Sequence, residues 1–234
     1  MHIVGLQKMT LLDYPGKVAC TVFLRGCNFR CPFCHNGGLL GADAREVMSR
    51  EALLRFLAGR RGLLDGVCIT GGEPTLSSGL PELLTDIKAL GFAVKLDTNG
   101  SRPQVLKALV EAGVVDYVAM DVKNSPEAYA KTVGLPGFDP APIEESLSYL
   151  FAGNVDYELR TTVVQQLHDT DSIRAMGQWL KERNGGNKVP KIFLQPFVNR
   201  DSVLDQNLLP PESTEMSQYV ELLYTFAQEV SIRG

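Results

Sequence analysis

The residues most able to do chemistry are three cysteines within eight positions, Cys27-Asn-Phe-Arg-Cys31-Pro-Phe-Cys34. Thiolates are soft ligands, suited to iron–sulfur clusters or to zinc. A 4Fe–4S cluster normally takes four cysteines. Three leave one iron without a protein ligand, as catalytic metal sites keep one exchangeable position. A small molecule can chelate that iron through its amino and carboxylate groups. Two other readings stay open on the residues alone. Cys34 and His35 can complete a Cys3His zinc site, although the usual pair of separated knuckles is missing. Cys31-x-x-Cys34-His35 also fits a c-type haem attachment pattern, which requires export. The opening residues show no apolar export signal, and the expected setting is the cytoplasm. The two remaining cysteines, Cys20 and Cys68, sit in apolar strand-like stretches and are expected in the core.

Four further segments carry polar groups at strand ends. Gly71-Gly72-Glu73-Pro74 pairs two glycines, which admit a ligand close to the backbone, with a carboxylate acceptor. Asp97 and Thr98 precede the turn signal Asn99-Gly100. Asp121-Val122-Lys123 puts two charges on one face of a strand, which is costly unless they are paired or used. Arg160 offers a planar fork that suits a carboxylate. Asp97 and Asp121 together suggest a bound cation, because hard cations favour carboxylate oxygens.

These groups need elements to position them, and the pattern supplies six β–α units. Strands are expected at Val18–Leu24, Gly66–Thr70, Ala93–Leu96, Tyr117–Val122, Tyr157–Val164 and Lys191–Leu194. Helices are expected at Arg50–Leu57, from Leu80 to a stop at Gly91, from Pro103 to Gly113, at Ile143–Phe151, at Asp171–Lys181 with Asp171 as N-cap, and at Glu212–Val230. Asn124–Pro142 reads as a long Pro/Gly-rich loop facing a partner. Apolar strands alternating with helices imply an α/β fold with a parallel sheet. An open doubly wound sheet and a six-stranded (β/α) barrel both satisfy the pattern, and both gather function at the carboxyl ends of strands. The 234 residues are expected to form a single domain, 1–234. A net charge of −4 and no basic run longer than Arg60-Arg61 argue against a nucleic-acid partner. The longest apolar stretches are strand-sized, which argues against a membrane span.

The cysteine segment, Asp13-Tyr14-Pro15-Gly16 and Gly71-Gly72-Glu73-Pro74 closely resemble the radical S-adenosylmethionine (radical SAM) enzymes that activate glycyl-radical enzymes. Within that group the chain looks most like the activators of anaerobic ribonucleoside-triphosphate reductase, with those of pyruvate formate-lyase as near relatives. The resemblance implies a partial (β/α)6 barrel of the radical SAM type. It implies a 4Fe–4S cluster on Cys27, Cys31 and Cys34, and contacts to S-adenosylmethionine from Phe33, His35, Gly72, Glu73, Asp97, Thr98, Asp121, Lys123 and Arg160. No catalytic side chain is implied beyond the cluster and its substrate. The implied partner is a glycyl-radical enzyme, foremost anaerobic ribonucleotide reductase, with a flavodoxin- or ferredoxin-type electron donor. The rivals are radical chemistry on a small molecule and a zinc-stabilised binding module. Related activators often carry a histidine near the position of Gln195-Pro196-Phe197, where this sequence has none; His168 is not an obvious substitute, and His2 reads as an uninvolved terminal residue.

Overall fold

The structure, a computed structural model, describes residues 1–41 and 44–233. Its elements alternate as the periodicity requires: β1 (Ile3–Thr10), β2 (Ala19–Leu24), α1 (Arg50–Ala58), β3 (Gly66–Gly71), α2 (Leu80–Ala89), β4 (Ala93–Thr98), α3 (Pro103–Glu111), β5 (Tyr117–Asp121), α4 (Pro126–Thr132), α5 (Ala141–Phe151), β6 (Asp156–Val163), α6 (Thr170–Arg183), β7 (Val189–Pro196), α7 (Ser213–Leu223) and β8 (Ala227–Ile232). This is the expected α/β fold. The residues group into two compact units.

The first unit comprises Met1–Asn28, Gly38–Thr98 and Gln104–Ala119. Its β1 runs antiparallel to β2, and β2, β3 and β4 are parallel, with Val22 opposite Ile69 and Ile69 opposite Leu96. Strand residues Val22, Ile69, Val94 and Leu96 are fully buried, as are Leu53, Leu57, Leu83, Leu84 and Ile87 from α1 and α2. Strands covered by such helical stripes read as continuous apolar runs, which is why they were legible. Cys20 and Cys68 are buried here as expected, and burial pushes the Cys20 thiol up to about 12.

The second unit comprises Phe29–Gly37, Asn99–Pro103 and Met120–Gly234. Its β6, β7 and β8 are parallel, with Arg160 opposite Phe193 and Phe193 opposite Ser231. Four expectations are corrected here or in the first unit. The stretch Ile3–Thr10 is a strand that sequence reading missed, because most of it is partly exposed and its apolar alternation is weak. The closing helix stops at Leu223, and Ala227–Ile232 is a strand, with pairing to β7 overriding the helix-favouring Gln228 and Glu229. The N-cap of α6 is Asp169, not Asp171: its carboxylate accepts from the Ser172 N–H at 2.7 Å. The stretch 124–142 is not a long loop, because it contains α4, opened by Pro126 at the first helical turn.

That last segment is docked rather than projecting. Tyr129, Thr132 and Val133 are buried, and Phe138 meets the Phe29 ring edge-on at 5.1 Å. The Arg30 N–H donates to the Val133 carbonyl at 2.9 Å. Gly134 has φ of +68°, and a Cβ there would collide with the Arg30 carbonyl, so the turn that follows α4 seats directly against the cysteine segment.

Candidate active site

Within the second unit the cysteine segment makes a tight turn: the Cys34 N–H donates to the Cys31 carbonyl at 3.0 Å, and the Gly37 N–H to the Cys34 carbonyl at 3.2 Å. Cys31 is buried and Cys34 half-buried, while Cys27, in the first unit, is half-buried; none of the three is in a disulfide. Burial raises the Cys34 thiol above its ordinary value, opposed by an N–H bond at Asn36 and by the charge of Lys123. Thiols outside disulfides, at this spacing in the sequence, are the soft ligands that an iron–sulfur cluster takes. His35, the fourth ligand that the zinc alternative would need, is engaged through one ring nitrogen. Its Nε2 bonds the Val198 carbonyl at 2.7 Å, and its ring stacks on Phe197 at 5.5 Å, 3° from parallel. Burial lowers the His35 pKa. Among the described residues no three His, Cys, Asp or Glu side chains converge on a single-ion site.

The charged constellation of the second unit centres on Asp121, the last residue of β5. Lys123 Nζ donates to its Oδ2 at 3.0 Å, and Arg160, from β6, donates to its Oδ1 through Nε at 3.0 Å and Nη2 at 2.9 Å. Burial works to raise the Asp121 pKa, but the Arg160 and Lys123 charges outweigh it and hold the group at about 2. Burial likewise works against the Lys123 ammonium, and the carboxylate of Asp121, aided by the Cys31 thiol, outweighs it, so the lysine stays charged. Lys123 Nζ also lies over the Phe33 ring, 5.9 Å from its centroid. Asp121 thus faces two cations, Lys123 and Arg160.

Sequence reasoning missed what fixes Lys123. Its backbone N–H donates to the Tyr129 hydroxyl at 3.4 Å, and its carbonyl accepts from His168 Nε2 at 2.9 Å. With the proton on Nε2, His168 Nδ1 accepts from the Val164 N–H at 3.1 Å. Burial lowers the His168 pKa and keeps the ring neutral, as this bonding needs. His168 is therefore the clamp on the segment that carries Lys123. Its 45-residue separation from Lys123 gave the sequence no signal of that contact.

In the first unit Gly71 and Gly72 close the end of β3. Gly71 has φ of +112°, and a Cβ on Gly72 would overlap the Gly26 carbonyl, so both positions require glycine. The Glu73 N–H donates to that same carbonyl at 2.7 Å. Glu73 itself is buried, and its Oε1 accepts from the Thr75 N–H at 3.1 Å, the Thr75 hydroxyl at 2.5 Å and the Thr98 hydroxyl at 2.8 Å. Glu73 and Thr98 are thus brought together, with the carboxylate holding two strand ends. Asp97 is paired to Lys95, a lysine 1% exposed on β4 that the sequence reading did not single out. The two carboxylates expected to share a cation, Asp97 and Asp121, each face a cationic side chain. His2 pairs with Glu46 at the surface.

Comparison with known proteins gives a consistent answer. Residues 21–177 match the Radical SAM superfamily. A Methanocaldococcus jannaschii protein named as a glycyl-radical enzyme activating enzyme is 29% identical over 240 residues, covering 99% of this chain and 95% of that protein. The pyruvate formate-lyase-activating enzyme of Clostridium pasteurianum is 29% identical over 213 residues, covering 84% of this chain and 82% of that enzyme. Among solved structures, a domain of the pyruvate formate-lyase-activating enzyme from Bacteroides vulgatus superposes with a TM-score of 0.57 at 17% identity, over 72% of this chain and 99% of that domain. Among the described residues no helix is long and apolar enough to cross a membrane.

Proposed function

The chain belongs to the radical SAM superfamily and is a radical SAM enzyme, and on that premise we propose that it installs a glycyl radical on a partner enzyme, foremost an anaerobic ribonucleoside-triphosphate reductase. In this reading Cys27, Cys31 and Cys34 hold a 4Fe–4S cluster at three of its irons. Once bound and reduced, that cluster supplies one electron that splits S-adenosylmethionine into methionine and a carbon radical able to take a hydrogen atom. The full-length similarity to an activating enzyme supports the choice of a glycine Cα in a protein as the hydrogen source. The electron donor is of the flavodoxin or ferredoxin type.

The observation that carries the reading is the position of Lys123. It is paired to Asp121, lies over Phe33, and feels the charge of Cys31. A fixed cation there balances the negative charge that thiolate ligands bring. Arg160 and Lys123 are assigned to the carboxylate of S-adenosylmethionine, which a guanidinium or an ammonium can hold through charge-assisted hydrogen bonds. Glu73, Gly72, Asp97 and Thr98 are assigned to its polar groups, and Phe33 and His35 to its flank.

Anaerobic reconstitution tests this directly. About four irons per chain are expected, together with an organic radical on the reductase by electron paramagnetic resonance when S-adenosylmethionine and a reductant are added. Cys31→Ala is expected to lose both the iron and the radical. Wild-type protein that binds zinc instead of iron, or that cleaves S-adenosylmethionine with no radical appearing on any glycyl-radical enzyme, would reject the proposal.

A further inference from the structure

Lys95 stands out because an apolar strand has no local use for it. Its neighbours Val94 and Leu96 are fully buried, and Lys95 is itself 1% exposed. Lysine is almost never buried to that extent without a partner, since taking an ammonium out of water is costly. The partner is Asp97, two residues along the same strand and on the same face, whose Oδ1 is in direct contact with Nζ. The next residue, Thr98, directs its hydroxyl to Glu73 at 2.8 Å. A sodium or potassium ion at Asp97 would need a shell of several oxygens, and it would have to sit against an ammonium of like charge.

We infer that Lys95 is a built-in monovalent cation: its buried ammonium takes the place on Asp97 that a bound sodium or potassium ion would occupy, so this chain binds S-adenosylmethionine without either ion. The inference rests on the proposal that Asp97 and Thr98 belong to the S-adenosylmethionine site, and it adds to that proposal the residue that sets the charge there. A tethered ammonium carries the same single charge as a free ion, but its occupancy does not depend on salt. It also fixes the carboxylate in one orientation through a charge-assisted hydrogen bond.

The test compares reconstituted wild-type protein with Lys95→Met, which keeps the length of the side chain and removes its charge. Affinity for S-adenosylmethionine is measured in choline chloride, sodium chloride and potassium chloride at equal ionic strength. Wild type is expected to bind equally in all three, within about twofold. Lys95→Met is expected to bind at least about tenfold more weakly in choline chloride and to recover in sodium or potassium. The sodium NMR linewidth, which needs neither cluster nor substrate, is expected to broaden with Lys95→Met and not with wild type. Lys95→Arg, which keeps a charge, is expected to stay independent of the ions. A gain of about tenfold or more in wild-type affinity on adding sodium or potassium would overturn the inference, as would a folded Lys95→Met indifferent to every ion. If Lys95→Met does not fold, the wild-type salt series and linewidth still decide. Wild type that binds no S-adenosylmethionine in any salt would instead defeat the assignment of the site, leaving the linewidth to report on Lys95 alone.

Discussion

Asp121 is the residue on which the most charge converges, and its titration can be predicted with a sign. The folded group is held at about 2 against an ordinary value of 3.8, by Arg160 and Lys123 acting against burial. A carboxylate depressed in this way contributes stability that is fully present above pH 4 or so and is lost as pH falls through the folded value. The contribution is about 2 kcal/mol. Urea unfolding followed from pH 6 down to pH 2 should show that much of the acid loss of stability removed in Asp121→Asn, whose curve should be flatter over the window; parallel curves for the two proteins would refute it. How much of this was legible varies from one residue to the next. Asp121 and Lys123 announce themselves, because two charges spaced by two on an apolar strand must share a face. Lys95 obeys the same rule with Asp97, but the turn signal Asn99-Gly100 drew the reading past it. The cysteines are legible from spacing alone, whereas the commitment of Glu73 Oε1 to Thr75 and Thr98 depends on a pairing of strands that no local pattern encodes.

At the scale of elements, the carboxyl ends of the strands carry the polar groups, and short connections fix them there. The connection between β6 and α6 is the clearest case. His168 lies on it, 3% exposed, and bonds both its own loop at Val164 and the carbonyl of Lys123 after β5. Replacing His168 with Leu buries a carbonyl and an N–H without these partners, at about 1–3 kcal/mol for each unsatisfied group. The expected outcome is a loss of roughly 2–4 kcal/mol in urea unfolding, with His168→Gln, which restores a donor near the Nε2 position, losing about half as much. Equal stability of His168→Leu and wild type would show that the clamp carries nothing. The same element explains a misreading. Prolines and glycines in 124–142 mark a loop by composition, yet Pro126 begins α4 and Gly134 ends the turn after it, with Tyr129 of α4 reaching the Lys123 N–H. Composition showed the punctuation and not the seven-residue helix between.

For the molecule as a whole, the α/β alternation was legible because buried parallel strands and amphipathic helices each leave a period in the sequence. What escaped were β1 and β8, strands whose residues are largely exposed or mixed in character and whose identity is settled by their pairing partners. For β8 the side-chain energetics of that pairing can be tested. Arg233 follows directly after β8. Its N–H donates to the Leu194 carbonyl at 2.9 Å, its guanidinium stacks 3.7 Å from the Phe193 ring centroid, and its Nη1 and Nη2 donate to the two carboxylate oxygens of Glu158 at 2.8 and 3.2 Å. One side chain thus ties β6, β7 and β8. The Glu158 side chain has no exposed surface, while that of Arg233 keeps 30%, so removing the guanidinium takes an ion-pair partner from a buried carboxylate. Arg233→Met, which keeps an apolar stem over Phe193, is expected to cost about 3 kcal/mol in urea unfolding. Adding Glu158→Gln to that variant removes the buried charge and should recover at least half of the loss. The recovery separates the two explanations: a double variant as weak as Arg233→Met would place the stabilisation in packing on Phe193, and a recovered one would place it in the ion pair that locks the last strand to the sheet of the second unit.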